Sequence, residues 1–261
     1  MTTKKTTYLI FIFISLFLFS CAQDEETEQH SFNQITLNFY EQFYPENREL
    51  VFHLQTLEEF PCSNFVIDTE IEKTNSYTEI FANNIQLPNS CINSIGPASK
   101  TINMGDSQAF SPSVSLWVND HRHDFSYTIN DKQIVVEQKQ HFDDRLFFTR
   151  DTLWRVPANT IWGYLVLDEQ ERTDMINDLM QYFKSKGIYA MDLEDGDYYH
   201  FVMRNGNTYF NISRNEIQGF VLESEENLEF LVGLFREFLD DSDHEQAQIR
   251  LFSSCGDRFV M

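Results

Sequence analysis

PANTIWGYLVLDEQERTDMINDLMQYFKSKG, residues 157–187, holds the change of period on which the fold turns. Ile161 to Leu167 is an apolar run of strand length. Asp168, with Glu171 three residues later, then makes a capping-box-like helix start. Beyond it Met175, Ile176, Leu179, Met180 and Phe183 recur at steps of three and four, which puts them on one face of a helix, and Gly187 supplies the stop. The spacing therefore predicts a strand followed by an amphipathic helix. Upstream of Pro157 no such stripe occurs, so the chain is expected to change architecture there.

Downstream, Tyr198 to Arg204 and Thr208 to Ile212 read as strands joined around Asn205-Gly206, the strongest hairpin dipeptide in the chain. Ser224, with Glu225 and Glu226, opens a second helix whose core face is Leu228, Leu231, Val232, Phe235, Phe238 and Leu239, and Asp240-Asp241-Ser242-Asp243 ends it. Gln248 to Ser253 is a last strand. The order β-α-β-β-α-β resembles the ferredoxin-like arrangement, which implies two helices over one face of a four-stranded antiparallel sheet for residues 158–261. That arrangement hosts many unrelated activities and names none.

Between Ile35 and Val156 the period is two. Ile35, Leu37 and Phe39 alternate with Thr36, Asn38 and Tyr40, and further extended runs follow at Leu50 to Leu54, Phe65 to Ile71, Val114 to Val118, Phe125 to Ile129, Ile134 to Gln138 and Leu146 to Thr149. Asn130-Asp131 joins two of them as a hairpin turn. About seven short strands at this spacing predict an antiparallel β-sandwich over residues 34–157, immunoglobulin-like or transthyretin-like in general shape. Trp117 lies after both Cys62 and Cys91, which departs from the antibody-domain pattern. The whole reads as an α+β chain of two domains.

The first twenty residues read as a signal peptide: Lys4 and Lys5, then an apolar run from Tyr8 to Phe19 broken only by Ser15, too short to cross a bilayer as a helix. Leu18-Phe19-Ser20-Cys21 resembles the lipobox of bacterial lipoproteins. The resemblance implies cleavage after Ser20 and lipid on Cys21, and several acyl chains there make a stable anchor. Phe19 departs from it, since a smaller residue is usual at that place. Residues 21–33 form an acidic tether, and Asp24, Glu25, Glu26 and Glu28 resemble the export signal of surface lipoproteins of Bacteroidetes-type bacteria. The expected location is the outer membrane, lipid-anchored and exposed at the cell surface.

The net charge of the chain is −22, and the leader takes two lysines with it, so the processed form carries −24. Such a field repels phosphate, which excludes nucleic acid as a partner and leaves envelope proteins and neutral glycans. Export favours disulfides. Cys62 and Cys91, each beside turn residues in the strand-rich half, are expected to pair, leaving Cys255 as a third thiol, buried or tolerated.

Four residues are metal candidates. His121 and His123 fall on the same side of a strand and need a third ligand that the sequence does not name. Asp195 and Asp197, with Asp192, Glu194 and Gly196, make an acidic turn similar to oxygen-rich calcium loops but without their spacing. Solvated turns are the commoner state of both groups. Phe39, Tyr40, Phe43, Tyr44, Trp154 and Trp162 are candidates for a glycan-stacking platform, against core packing as the ordinary role of such residues. Asp151-Thr152-Leu153 resembles the O-glycosylation motif of Bacteroidetes-type exported proteins. No Gly-rich phosphate loop, zincin helix motif or Gly-x-Ser-x-Gly elbow is present, and no cofactor is implied. The expectation is a non-enzymatic binding or envelope-assembly module, with a calcium-dependent or hydrolytic envelope enzyme as the alternative.

Overall fold

In the first strand, β1 (Ile35–Phe43), Ile35, Leu37 and Phe39 are fully buried while Thr36, Asn38 and Tyr40 are half-buried, so the two-residue period sets one face inward. The computed structural model describes residues 31–74, 76–107, 113–139, 143–212, 215–240 and 247–260. The leader, Cys21 and the tether up to residue 30 lie outside the described residues, as do 241–243 of the expected helix end.

Nine further strands complete the first sheet: β2 (Arg48–Phe60), β3 (Val66–Lys73), β4 (Tyr77–Gln86), β5 (Gly96–Asp106), β6 (Ser113–Val118), β7 (His121–Ile129), β8 (Gln133–Gln138), β9 (Leu146–Phe148) and β10 (Thr152–Trp154). Their order is β10-β8-β7-β6-β4-β3-β5-β2-β1-β9. The two edge strands are therefore neighbours in sequence, joined by residues 149–151. β9 runs parallel to β1 at one edge and β10 antiparallel to β8 at the other. Thr149 N–H donates to the Leu37 carbonyl at 3.0 Å, and Val136 N–H to that of Asp151 at 2.8 Å. A segment this short reaches both edges only if the sheet folds over on itself. It does so around one core: Phe52 on β2 lies 6.0 Å from Phe125 and 5.8 Å from Tyr127 on β7, and Phe125 lies 5.1 Å from Phe148.

The β1–β2 pairing is antiparallel throughout, Ile35 opposite Thr56 and Phe43 opposite Arg48, while β4–β6 and the Val66–Ser99 contact are parallel. The wholly antiparallel sandwich expected is thus corrected in those places and at β1–β9. β4 and β5 were not among the extended runs read from sequence.

The chain passes to the second sheet between Trp154 and Thr160. Here come β11 (Thr160–Val166), α1 (Glu169–Ser185), β12 (Tyr189–Ala190), β13 (Gly196–Asp197), β14 (Val202–Arg204), β15 (Asn207–Ile212), β16 (Asn215–Glu223), α2 (Leu228–Asp240), β17 (Gln248–Ser253) and β18 (Arg258–Val260). The order is β13-β14-β15-β16-β11-β17-β18, with β12 beside β16, all antiparallel. Eight strands stand where four were expected. The unforeseen β16 occupies the centre, between β15 and β11.

α1 begins as its sequence indicates: the Asp168 side chain accepts from Glu171 N–H at 3.0 Å, and Met175, Ile176, Leu179 and Phe183 are buried. Gly187, at φ +83°, follows its end. α2 starts later than Ser224 suggests, because Asn227 Oδ1 accepts from Phe230 N–H at 2.9 Å and supplies the cap, while Ser224 Oγ accepts from Glu226 N–H at 3.2 Å in the preceding turn. Both helices cover one face, packing on Ile161, Leu165, Phe220, Leu222, Ile249 and Leu251. On the opposite face Trp162, Tyr164, Phe210 and Val221 pack with Tyr198, Phe201 and Met203. The second sheet is buried on both sides, which is why Ile161 to Leu165 reads as a continuous apolar run. Both sheets belong to one compact unit, Phe32–Met261.

Candidate binding cleft between the two sheets

Continuing the inward alternation of β1 past Phe39 brings Glu41, a carboxylate only 3% exposed. A buried carboxylate needs partners for its oxygens. Glu41 has them: Arg155 Nε and Nη2 donate to its Oε1 at 3.0 and 2.7 Å, Ser107 Oγ donates to the same oxygen at 2.7 Å, and Arg48 Nη1 stands 4.0 Å from Oε2. Arg155 also donates to the Asn130 carbonyl at 2.8 Å, and Arg48 to the Val156 carbonyl. The cluster thus clamps the passage from the first sheet to the second onto β1. A second fastening is steric. Gly196 on β13 lies so close against the Trp154 indole that any Cβ there would overlap the ring.

Tyr40, one residue earlier, faces the opposite way and stacks on Tyr199 with ring centres 4.1 Å apart and planes 7° from parallel. Tyr199 is held at φ +66°, a left-handed conformation that costs a bulky residue energy and persists only where the surroundings enforce it. Its backbone N–H donates to Asp197 Oδ1 at 2.7 Å. Asp197 lies 2.6 Å from Arg150 Nη1, out of line for a hydrogen bond, so the contact is an ion pair, and the Arg150 guanidinium stands 5.7 Å from the Tyr199 ring centre. Burial raises the Tyr199 phenol pKa, and Tyr40 beside it adds to the effect.

His200 follows directly. Its Nε2 is 3.2 Å from the Glu41 carbonyl oxygen, which can only accept, so Nε2 carries the hydrogen. Burial lowers the imidazole pKa, so the ring is neutral at neutral pH and Nδ1 is left as an acceptor. The rings of Phe43, Trp162 and Tyr199 surround it at 5.1, 5.4 and 5.1 Å. The β17–β18 turn closes the side: Gly256 is at φ +87°, and a Cβ there would stand 2.6 Å from the Phe43 carbonyl oxygen. Ser253 Oγ accepts the backbone N–H of Cys255 and Asp257 at 3.2 and 3.1 Å and so shapes this turn.

Between these elements lies a cleft of about 380 Å³. β1 gives it Tyr40, Gln42 and Phe43, β11 gives Trp162, and the turn before β14 gives Tyr199 and His200. The C-terminal hairpin adds Phe252, Ser253, Asp257 and Arg258. Flat aromatic faces combined with a neutral imidazole, an amide and a guanidinium suit a compact ligand that has an apolar face and hydrogen-bonding edges.

The structure distributes the other candidate residues differently. Cys62 and Cys91 form a disulfide with Cα atoms 5.3 Å apart, while Cys255 is free and exposed. His121 and His123 project to the same side of β7 and meet Asp143, at 3.0 and 3.5 Å, with Arg145 Nε 3.5 Å from the same carboxylate. Among the described residues no group of three or more His, Cys, Asp or Glu is arranged to hold a metal ion. Asp143 is paired with Arg145, and the two imidazoles stand against the same carboxylate. Asp195 accepts from the backbone N–H of Asn205 and Gly206 at 2.9 and 3.4 Å and locks that hairpin, and Asp197 is occupied by Tyr199 and Arg150. The acidic turn spends these two carboxylates on the backbone and on an ion pair.

Of the aromatic candidates, Tyr40, Phe43 and Trp162 reach the cleft, Phe39 is in the first core, Trp154 backs Gly196 and Tyr44 is exposed. Tyr199, His200 and Phe252 were missed. Thr152 of the Asp151-Thr152-Leu153 motif is half-buried on edge strand β10, opposite Val135. Among the described residues no helix is long and apolar enough to cross a membrane. Compared with protein-family models, curated proteins and solved structures, the chain matches none.

Proposed function

We propose that the chain is a lipoprotein of the bacterial envelope, anchored through lipid on Cys21 to the outer membrane and exposed at the cell surface, which binds a ligand in the cleft between its sheets without transforming it. The signal-peptide pattern, the lipobox resemblance and the acidic tether support the address. We read residues 34–157 as an immunoglobulin-like or transthyretin-like sandwich. We read residues 158–261 as an elaborated ferredoxin-like lobe, a reading supported by the order β15-β16-β11-β17 with both helices on one face.

The observation that carries the binding role is the strained Tyr199, stacked on Tyr40 beside the neutral His200 in a cleft walled by Trp162 and Phe252. Backbone strain of this kind, held by an ion pair and a backbone hydrogen bond to Asp197, is a cost that a site repays through function. The strongly acidic chain disfavours anions, so the ligand is a neutral glycan residue, its ring face lying on an aromatic plane and its hydroxyls meeting His200, Gln42 and Arg258. Saturation-transfer NMR on the full protein in neutral detergent, with neutral oligosaccharides, tests this. Transfer to the sugar ring protons that is lost in Tyr199→Ala and Arg258→Ala is expected. No transfer from any neutral oligosaccharide at millimolar concentration would refute the glycan reading. Intact mass of the membrane-extracted protein beside a Cys21→Ala form tests the anchor separately.

A further inference from the structure

At one end of the first sheet four chain segments meet. The chain enters at Phe32, where Asn33 N–H donates to Glu58 Oε1 at 2.8 Å and Leu57 N–H to the Gln34 carbonyl at 3.0 Å. β2 ends there at Phe60, opposite Gly96 at the start of β5, and the start of β3 at Val66 lies beside the end of β4 at Gln86. The loops between these strands are tied together: Cys62 is bonded to Cys91, Asn64 Nδ2 donates to the Ser90 carbonyl at 2.7 Å, Ile92 N–H donates to Asn64 Oδ1 at 3.0 Å, and Ser63 and Ser94 share a hydrogen bond of 2.7 Å. The tied loops raise Leu87, Ile92 and Ile95 into solvent, with 43%, 58% and 75% of their surface exposed.

The composition here is unlike the rest. In a chain that is 23% charged, no charged residue falls between Ile80 and Ser99 or between Phe60 and Ile67. The two tied loops themselves carry no charge, although Glu58, Asp144 and Arg145 stand at the same end beside Asn33, Gln34 and Ile35, and loops stapled so that their isoleucines point outward fit an uncharged apolar phase better than water. The chain reaches this end from Cys21 in eleven residues, which can span at most about 40 Å. The Glu41 cluster and the second sheet join the first sheet at its opposite end, beyond Tyr40, Asn130 and Ser107.

We infer that the Leu87–Ile95 loop and its disulfide partner form a membrane-contact rim, seating Ile92 and Ile95 in the neutral lipid interface and standing the cleft away from the bilayer. This rests on the lipid-anchor reading. Inserted isoleucines would fix the orientation that a lipid anchor alone leaves open.

The test uses the processed, lipidated full chain in phosphatidylcholine vesicles, with Ile95→Trp, Ile92→Trp and, at the opposite end of the sheet, Asp131→Trp. Tryptophan emission is read with and without bromine-labelled acyl chains, as the difference from the unsubstituted protein. The rim predicts loss of most of the added emission for Ile95→Trp and Ile92→Trp and none for Asp131→Trp. An acylated, vesicle-bound protein whose Ile95 and Ile92 probes keep their emission overturns the rim while leaving the anchor intact. Cross-linking of two copies through residue 95 overturns it in favour of self-association. A mass without acyl chains removes anchor and rim together.

Discussion

The two sheets solve burial differently. The first is folded over on itself, so each strand keeps one wet face and one dry face, and its core is built from alternate residues such as Ile35, Leu37 and Phe39. The second takes two helices on one face and an aromatic layer on the other, so β11 is buried at every residue from Thr160 to Leu165. A one-faced sheet announces itself by alternation, whereas a two-faced one looks like any apolar run until its neighbours are known. The comparison also raises the question of whether two such differently built cores, clamped by Glu41, unfold as one.

Cutting each core in turn gives the largest expected effect. Phe52→Ala in the first and Phe235→Ala in the second each remove a fully buried ring and should cost about 3–5 kcal/mol. Calorimetry should show both substitutions moving a single transition. Two transitions, each moved by one variant alone, would establish that the sheets are independent domains. Next, Glu41→Ala leaves Arg155 and Arg48 with an uncompensated buried charge and should cost about 3 kcal/mol in urea unfolding. Replacing Glu41 and Arg155 together by Met should cost clearly less, and an equal loss would mean that shape, not charge, joins the sheets there.

Smaller still is the cap of α2. Asn227→Ala should cost about 1 kcal/mol and Ser224→Ala much less, and the reverse ranking would return the helix start to Ser224. The mildest effect is set by pH. Burial lowers the pKa of His200 below its unfolded value of 6.5, and the same cause acts on His53 and His123. The unfolded chain then binds more protons below that value, so stability is complete above it and declines as pH falls from about 7 towards the lowered pKa values. His200→Gln should flatten part of that decline, and an unchanged slope would show that His200 is not buried neutral.

What the residues made legible follows from the same contrast. β1, β7 and β8 were readable because their inward positions are large and apolar. β4 turns Thr78, Ile80 and Ala82 inward and β5 turns Gly96, Ala98 and Ile102, so a single isoleucine among small or polar side chains leaves no clear period in these stretches. β16 escaped because its centre, Gln218-Gly219, interrupts the apolar signal at the point where a bulkier residue would strike Phe210. The disulfide was recoverable from the strand-rich context of its cysteines. The cleft was half-visible: Tyr40, Phe43 and Trp162 stood out as aromatics, but Tyr199 and His200 lie in a stretch whose composition suggests a strand and whose structure is a strained turn. A left-handed tyrosine leaves no mark in composition, because what enforces it are Asp197, Arg150 and Tyr40, the last two far away in sequence.

The hand-over between β9 and β10 bears on how this molecule behaves among its own kind. A sheet invites fusion with a neighbour where a long edge lies bare, and here one stretch of chain supplies both three-residue edge strands, which cover Ile35–Leu37 of β1 and Gln133–Val135 of β8. The same economy couples their fates. If residues 146–154 peel away, the paired stretches of β1 and β8 are uncovered in one event, so two new edges of the first sheet open together.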